Sequence, residues 1–475
     1  MKSSNSARTI KVILTLIGFA VLITAGRVLW HERFTPDDQP RPEGGVLDLR
    51  DWAAKNDRAI PLDGEWEFYA GALLLFDRDA DEFPAMDVRY VQVPGRWDAQ
   101  LDPDEPTPFG YGTYRLKIMT FPGDQRTYSL HIASVRSSSR VYVNGKLLGS
   151  SGFPAPQSEE YKAYNVPYTV WFTPDENGII EIVIQAANFS DPRGGGLIRP
   201  LKFGLADVVN REIQFSLVMQ RLIAAALIFQ SIHVMLIFFI DRKKKWLYSA
   251  LVPLNIALIL LNSSEDKLLL AWLPISYEWN FKLLNLSLSL LVYALIRIVE
   301  DQFPPAWRSG MIKATGMICA VSACLTLLLP DPYQIAIWNG FAWAAMPLIL
   351  AVLISIFRLA LKGLADNLLS ALACMAFVNH FLWWSYYLLT GIKAAAYPFD
   401  ILAALLLLSS IMFKRYFELY AEQKKLADKL QDEDRKKDEF LANTSHEMRN
   451  PLHGILSISQ VVLERERHAL SAKSV

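Results

Sequence analysis

Seven apolar runs follow Glu212, at residues 213–240, 246–262, 279–299, 311–329, 335–358, 367–390 and 398–413. Most approach the ~20 residues that a helix needs to cross a hydrocarbon core. The second and seventh are shorter. Lipid offers no hydrogen bonds to a bare backbone, so runs of this kind confine this part of the chain to α-helices. The loops between them fix an orientation. One side carries Asp241-Arg242-Lys243-Lys244-Lys245, then Arg297, Arg308 and Lys313, then Arg358 and Lys362, then Lys414 and Arg415. The other side carries SSED (263–266), PDPYQ (330–334) and TGIK (390–393), with only Lys267 and Lys393 in or near them. Basic loops stay inside, so the polar stretch before residue 213 is exported and the C-terminus is inside.

The first residues agree with that orientation. Lys2, Arg8 and Lys11 precede an apolar run from Val12 to Ile23 that fades by Trp30. Residues 1–30 read as a membrane anchor, with a signal peptide as the alternative, because Thr24-Ala25-Gly26 resembles a small-residue cleavage site.

Residues 40–208 have a different pattern. In IIEIVIQA (179–186), Ile180, Ile182, Ile184 and Ala186 alternate with Glu181 and Gln185, which predicts a half-buried antiparallel strand. In RVYVNGKLLG (140–149), Asn144-Gly145 supplies the positive φ angles of a tight hairpin. GEWEFY (64–69), YVQVP (90–94), YGTYRLKI (111–118) and YSLHIASV (128–135) are further strand candidates. Short strands between Gly, Pro and Asp turns predict a β-sandwich or jelly roll.

Formal net charge is zero, with 48 basic and 48 acidic residues, which gives no electrostatic case for nucleic acid. Cys319, Cys324 and Cys374 all lie in apolar runs without metal-ligand spacing, so neither a disulfide framework nor a metal site is expected.

Residues 414–439 are polar and helical. Tyr416, Leu419, Gln423, Leu426, Leu430, Glu433, Lys437 and Phe440 are spaced three and four apart, the seam of a coiled coil. Leu441, Met448, Ile455 and Val462 then recur every seven residues. One helix therefore runs from the last apolar segment into FLANTSHEMRNPLHGIL (440–456), and the chain is expected to form a parallel homodimer.

That last string has the chemistry of an imidazole nucleophile. Free imidazole titrates near ~6.5, so a neutral ring nitrogen is available at physiological pH. Glu447 beside His446 is positioned to accept the other ring N–H and stabilise the cation that develops. Asn450 lies one turn on, on the same face. Pro451 deletes the helical bond back to the Glu447 carbonyl and is expected to act as a hinge.

FLANTSHEMRNPL (440–452) resembles the phosphoacceptor box of the sensor histidine kinases. Ser445, His446, Glu447, Met448, Arg449, Asn450, Pro451 and Leu452 all match the pattern. The resemblance implies that His446 takes a phosphoryl group from ATP and Mg²⁺ and passes it to an aspartate on a response-regulator receiver domain. It also implies that Glu447 assists the transfer and that Asn450 contributes to dephosphorylation. In this family residues 440–475 begin an α-helical dimerisation and phosphoacceptor hairpin. The second helix, and an ATP-binding domain with its asparagine-bearing helix and glycine motifs, do not follow within this sequence. GGG (194–196) has no phosphate-loop lysine. A fragment of a longer kinase, a split gene and a stand-alone acceptor served by a kinase in trans all remain open.

Residues 213–413 resemble, in architecture, the bacterial seven-span receptors with diverse intracellular signalling modules. LDGEWEFY (62–69), VPGRW (93–97), YGTYRLKI and VYVNGKLLG (141–149) resemble galactose-binding-like jelly rolls of glycoside hydrolases. The resemblance implies a periplasmic small ligand, with a carbohydrate as a candidate, and offers Trp66, Trp97 and Tyr114 for stacking on it; the alternative is that they fill the core. Asp63, Glu65 and Glu67 are explained as strand and turn residues rather than a glycosidase pair. His233 and His380 are polar at membrane depth, and His380, beside Asn379 and Trp383-Trp384, is the candidate ligand residue there.

The expected fold is thus a multidomain membrane protein of the bacterial inner membrane. It has a periplasmic all-β jelly roll, a seven-helix transmembrane bundle and a cytoplasmic coiled coil leading into an incomplete phosphoacceptor hairpin. Its expected role is a histidine kinase of a two-component or phosphorelay system. A receptor or binding protein without phosphotransfer, and a membrane-tethered glycan-active enzyme, are the alternatives from other classes. A transporter is weaker, for want of an inverted repeat.

Overall fold

The computed structural model describes residues 2–34, 39–51, 58–75, 87–263, 266–361, 365–390 and 396–471. It begins with a helix, α1 (Lys2–Phe34). The strands then run β1 (Val46–Asp48), β2 (Ile60–Pro61), β3 (Gly64–Ala70), β4 (Arg89–Val93), β5 (Gly110–Met119), β6 (Tyr128–Ile132), β7 (Ser138–Val143), β8 (Lys146–Ser151), β9 (Tyr168–Phe172), β10 (Ile179–Asn188) and β11 (Leu201–Leu205). A one-turn helix, α2 (Asp98–Leu101), separates β4 from β5.

Two sheets enclose one core. The larger has the order β4-β3-β5-β10-β7-β8, with β1 parallel to the far end of β5; the smaller has the order β2-β11-β6-β9. Trp66, Phe68, Leu116, Ile118, Ile182 and Ile184 of the large sheet meet Leu130, Val170 and Phe203 of the small one. Alternation drives this. In β3, Trp66 and Phe68 turn inward while Glu65 and Glu67 turn away. The β7–β8 hairpin turns on Asn144 (φ 49°) and Gly145 (φ 76°), the left-handed pair that an Asn-Gly turn supplies.

One strand departs from expectation. β10 is buried on both faces along its second half, not half-buried. It is a central strand paired with β5 and β7. Its second face is covered by the segment after β3: Val183 packs with Tyr69 and Ala72, and Gln185 donates Nε2–H to the Leu74 carbonyl at 3.1 Å.

β11 leads directly into helix α3 (Ala206–Asp241), followed by α4 (Lys244–Ser263), α5 (Leu268–Trp272), α6 (Tyr277–Val299), α7 (Pro305–Leu328), α8 (Asp331–Leu361), α9 (Ala365–Thr390) and α10 (Phe399–Ser471). Among the described residues seven helices are long and apolar enough to cross a membrane: α1, α3, α4, α6, α7, α8 and α9. Six of the seven runs after Glu212 are therefore such helices, and α1 is the seventh. The run at 398–413 is instead the opening of the 73-residue α10. It falls short because Asp400 and then Lys414 and Arg415 bound it closely.

α1 packs as a member of the helical bundle. Phe19 lies against Ala373, Ala376 and Ala404, and Gly26 sits where a Cβ would meet the Tyr397 hydroxyl at 2.8 Å. Thr24-Ala25-Gly26 is mid-helix.

The strand unit and the bundle meet at a seam. Tyr277, the first residue of α6, donates its hydroxyl to Asp191 Oδ2 at 2.7 Å. The Arg193 guanidinium lies 4.6 Å from the centre of the Phe281 ring. Lys267 Nζ donates to the Asn165 carbonyl at 2.6 Å.

Candidate phosphoacceptor site

His446 lies on α10, which runs unbroken from Phe399 through Pro451 to Ser471. The imidazole, Glu447 and Asn450 are exposed, and Thr444 beside them is half-buried. Among the described residues nothing hydrogen-bonds to the ring. Glu447 does not reach it, because successive helical residues point ~100° apart. Asn450 shares the His446 face at i+4, as the spacing predicts. The helical assignment passes through Pro451 without interruption. Pro451 removes one backbone bond without breaking the helix.

Around the imidazole the helix exposes a long apolar stripe. Phe440, Met448, Leu452, Ile455 and Val462 are all more than half exposed. Water penalises such a surface by roughly 25 cal/mol per Å², and a contiguous stripe of this kind marks an interface.

A second cluster joins helices α1, α9 and α10. Arg27 of α1 and Asp400 of α10 are buried at 4% and 1% exposure, and Arg27 Nη1 is 3.8 Å from Asp400 Oδ2. Asn379 of α9 donates Nδ2–H to both Asp400 oxygens at 3.2 Å, and Thr24 donates its hydroxyl to Asn379 Oδ1 at 3.3 Å. The Arg27 guanidinium sits 4.6 Å from the Tyr397 ring centre, with the Tyr387 and Trp383 rings at 5.7 and 5.9 Å. The network thus ties three helices together at the start of the helix that carries His446. His380 borders this cluster, and its buried Nδ1 has no hydrogen-bond partner among the described residues. Its neighbour Asn379 makes the contacts. His233 of α3 is half-buried.

Sequence reasoning missed Arg27 and Asp400. The available signal was one charge of each sign, Asp400 inside an apolar run and Arg27 just beyond one, since charges at membrane depth pair with one another.

Trp66, Trp97 and Tyr114 are not available to a sugar. Each is at most 2% exposed, inside the strand core. Trp97 and Tyr114 stack within 8° of parallel, with Phe68 4.7 Å from Tyr114. Their outer surface is capped by the glycine loop. A Cβ on Gly195 would collide with the Trp97 indole, and one on Gly196 with the Tyr114 hydroxyl. GGG is therefore a packing feature: only bare backbone fits over those rings. Glu67 and Glu181 are held by Arg115 on the sheet surface.

Residues 436–474 match the His Kinase A (phospho-acceptor) domain. That stretch contains His446, Glu447, Asn450 and Pro451, so it carries a histidine kinase phosphoacceptor role. Phosphoacceptor domains of this family dimerise, which agrees with the apolar stripe beside His446. The chain is similar to three solved enzymes. One is a GH2 β-galacturonidase from Eisenbergiella tayi, at 20% identity over 31% of this chain and 24% of that one, TM-score 0.23. Another is a β-glucuronidase from Ruminococcus gnavus, at 17% identity over 31% and 28%, TM-score 0.23. The third is a β-galactosidase described as putative from Bacteroides fragilis, at 21% identity over 31% and 23%, TM-score 0.21. The chain spans less than a third of the length of each. No curated protein matches it.

Proposed function

We propose that the chain is the sensing and phosphoacceptor part of a bacterial transmembrane histidine kinase of a two-component or phosphorelay system. The match of residues 436–474 to a phosphoacceptor domain, with His446 open to solvent on its helix, carries this reading. The strand unit faces the periplasm as a jelly roll; the apolar opening of α10, residues 398–413, is read as an eighth crossing after α1, α3, α4, α6, α7, α8 and α9, and its continuation enters the cytoplasm. The clustering of Arg and Lys in the loops on one side supports that orientation.

The chemistry follows from the imidazole. ATP, with Mg²⁺, supplies the phosphoryl group from an ATP-binding domain. The lone pair of one neutral ring nitrogen of His446 forms the N–P bond while the bond from phosphorus to the bridging oxygen breaks and ADP departs. The ring becomes cationic, and Glu447 accepts the N–H of the second nitrogen after a side-chain rotation. An aspartate carboxylate of a receiver domain then attacks the same phosphorus, the N–P bond breaks, and neutral imidazole is restored. Asn450, one turn away, orients the water that hydrolyses the acyl phosphate in the reverse, phosphatase sense. Positioning dominates such transfers, so helix geometry around Pro451 sets the output.

A small periplasmic ligand, with a carbohydrate among the candidates, shifts the strand unit or the bundle. The shift reaches α10 through the Arg27–Asp400 network. Coupling of ~1–3 kcal/mol suffices.

The test uses inverted membrane vesicles from cells expressing the full-length protein, incubated with γ-labelled ATP. Acid-labile, alkali-stable phosphate on His446 is expected, and His446→Gln should remove it. Label that persists on histidine in that variant refutes the assignment.

A further inference from the structure

The strand unit grips two helices, α3 and α6, and they hand its position on differently. α3 continues β11 without a linker. Its first amide, Ala206 N–H, donates to the Thr127 carbonyl at 3.0 Å, Val208 and Val209 are buried, and Lys202 pairs with Glu212 at 3.6 Å. Gly204 leaves room for Val209, whose Cγ2 a Cβ there would meet at 3.3 Å. The first two turns of α3 are therefore packed onto the small sheet and move with it. α6 is gripped at Tyr277, whose hydroxyl Asp191 accepts while Arg193 and Arg136 hold that carboxylate at 2.6 and 3.3 Å. From there α6 bonds onward to α7 and α8. Ser289 donates its hydroxyl to Ser322 at 3.2 Å, and Asn285 donates Nδ2–H to Gln334 Oε1 at 3.1 Å.

α3 instead meets α10. Ile223 and Leu227 share one buried cluster with Ile401 and Leu405. One turn further along both helices, the Ser409 hydroxyl donates to Gln230 Oε1 at 2.7 Å. The polar contact follows the apolar one in the same chain direction on each helix, so α3 and α10 run parallel here. Apolar faces alone tolerate a slip of one turn, ~5.4 Å. Gln230 does not. It is buried, and its Nε2 has no hydrogen-bond partner among the described residues, so Ser409 supplies the side-chain bond of this amide. A slip would leave a second polar atom bare in apolar surroundings, which is unfavourable. A single polar contact in an apolar seam is a known way to fix register.

We propose that the Gln230–Ser409 hydrogen bond is a register key that makes α10 follow α3, and through α3 the strand unit. A displacement of the strand unit then reaches the helix of His446 along a contiguous path of β11, α3, the key and α10. Gln230 and Ser409 are positioning residues, acting on His446 through the helix that carries it. This path runs beside the Arg27–Asp400 network, which ties α10 to α1 and α9. The consequence for His446 rests on the sensor reading; the coupling of α3 to α10 does not.

The test is a double-mutant cycle between the gripped end of α3 and the key, in the full-length protein in inverted membrane vesicles. Val209→Ala loosens the grip of the small sheet, and Ser409→Ala removes the key. One readout is the initial rate of His446 labelling from γ-labelled ATP. The other is the rate at which a water-soluble maleimide modifies Phe413→Cys, with Cys319, Cys324 and Cys374 replaced by serine; it needs no phosphotransfer. Ser409→Ala should shift both rates about threefold, the worth of one interhelical hydrogen bond. Ser409→Thr keeps the hydroxyl and should shift neither. The change caused by Val209→Ala should shrink to half or less once Ser409 is alanine. Tyr277→Phe loosens the grip on α6 instead, and its effect should add independently to that of Ser409→Ala. Where Val209→Ala fails to assemble, Glu212→Gln takes its place in the cycle. Additive effects of Val209→Ala and Ser409→Ala on the maleimide rate, or a Ser409→Ala rate equal to wild type, overturn the proposal. A wild type that takes no label refutes the kinase reading, and the maleimide cycle then decides the coupling by itself.

Discussion

Trp66, Phe68 and Phe203 lie fully buried between two sheets, whereas Phe440, Met448 and Ile455 stand more than half exposed along the terminal helix. The two regions handle the same side-chain chemistry in opposite ways. The strand unit closes on itself: its aromatic rings stack and its glycine loop caps them. The segment around His446 closes on nothing, and its apolar stripe is as regular as a core. A closed core needs nothing further, whereas an exposed stripe of this kind is what a partner would cover. The exposed histidine lies on the open helix, whereas the buried ion pairs lie at the seam and in the Arg27–Asp400 network.

The largest test of this contrast is Trp97→Ala. Truncating a buried aromatic residue costs about 3–5 kcal/mol, and here it also removes the support under Gly195 and the partner stacked on Tyr114. Urea unfolding followed by near-ultraviolet circular dichroism should show the strand unit destabilised by that amount. A change below ~1 kcal/mol would mean that the stack is not a core.

Arg27→Met comes next. It leaves Asp400 buried without its cation, a loss of about 3 kcal/mol for a buried pair broken on one side. The thermal midpoint of the full chain in micelles should fall, and Asp400→Asn should fall less, because Asn379 can still bond to an amide. Equal effects of the two would show that the charge is not what matters.

The seam responds to acid. The Asp191 carboxyl is held at about 2, below its free value of 3.8. Its stabilisation is therefore complete above about pH 4 and is lost as pH falls through about 2, a contribution of about 2 kcal/mol. Acid titration of the wild type should show that slope, and Asp191→Asn should flatten it.

Local features were legible in the sequence and distant ones were not. The alternation in 64–69 and the Asn144-Gly145 turn gave strands and a hairpin because both signals sit within a few residues. The box around His446 was legible for the same reason. β2, with two residues, and β11, interrupted by Gly204, carry too little pattern to read. β9 (YTVWF) has β-branched and aromatic residues and was readable, though missed. Trp97 lies in a loop between β4 and α2, where no alternation says which way a ring points, so the sequence left open whether it stacks on a sugar or fills the core. Arg27 and Asp400 meet only once the helices are packed, and no local pattern joins them.

Ile455→Ala should have the smallest effect on the chain itself, and that is its value. An exposed helical Ile-to-Ala change shifts monomer stability by no more than ~0.5 kcal/mol, since alanine favours the helix and no contact is lost. If the stripe is half of a dimer interface, the same change removes buried methyl groups from the assembled form, where Ile→Ala costs ~2–5 kcal/mol per copy. Two readouts on one variant separate these terms. Thermal unfolding of dilute chain in micelles reports the first. Cross-linking between cysteines placed at Leu441, with Cys319, Cys324 and Cys374 replaced by serine, reports the second. Unchanged unfolding with cross-linking reduced at least tenfold would establish that the terminal helix completes its core with a second copy. Cross-linking that survives Ile455→Ala would move the interface off this stripe, and with it the reason for its exposure.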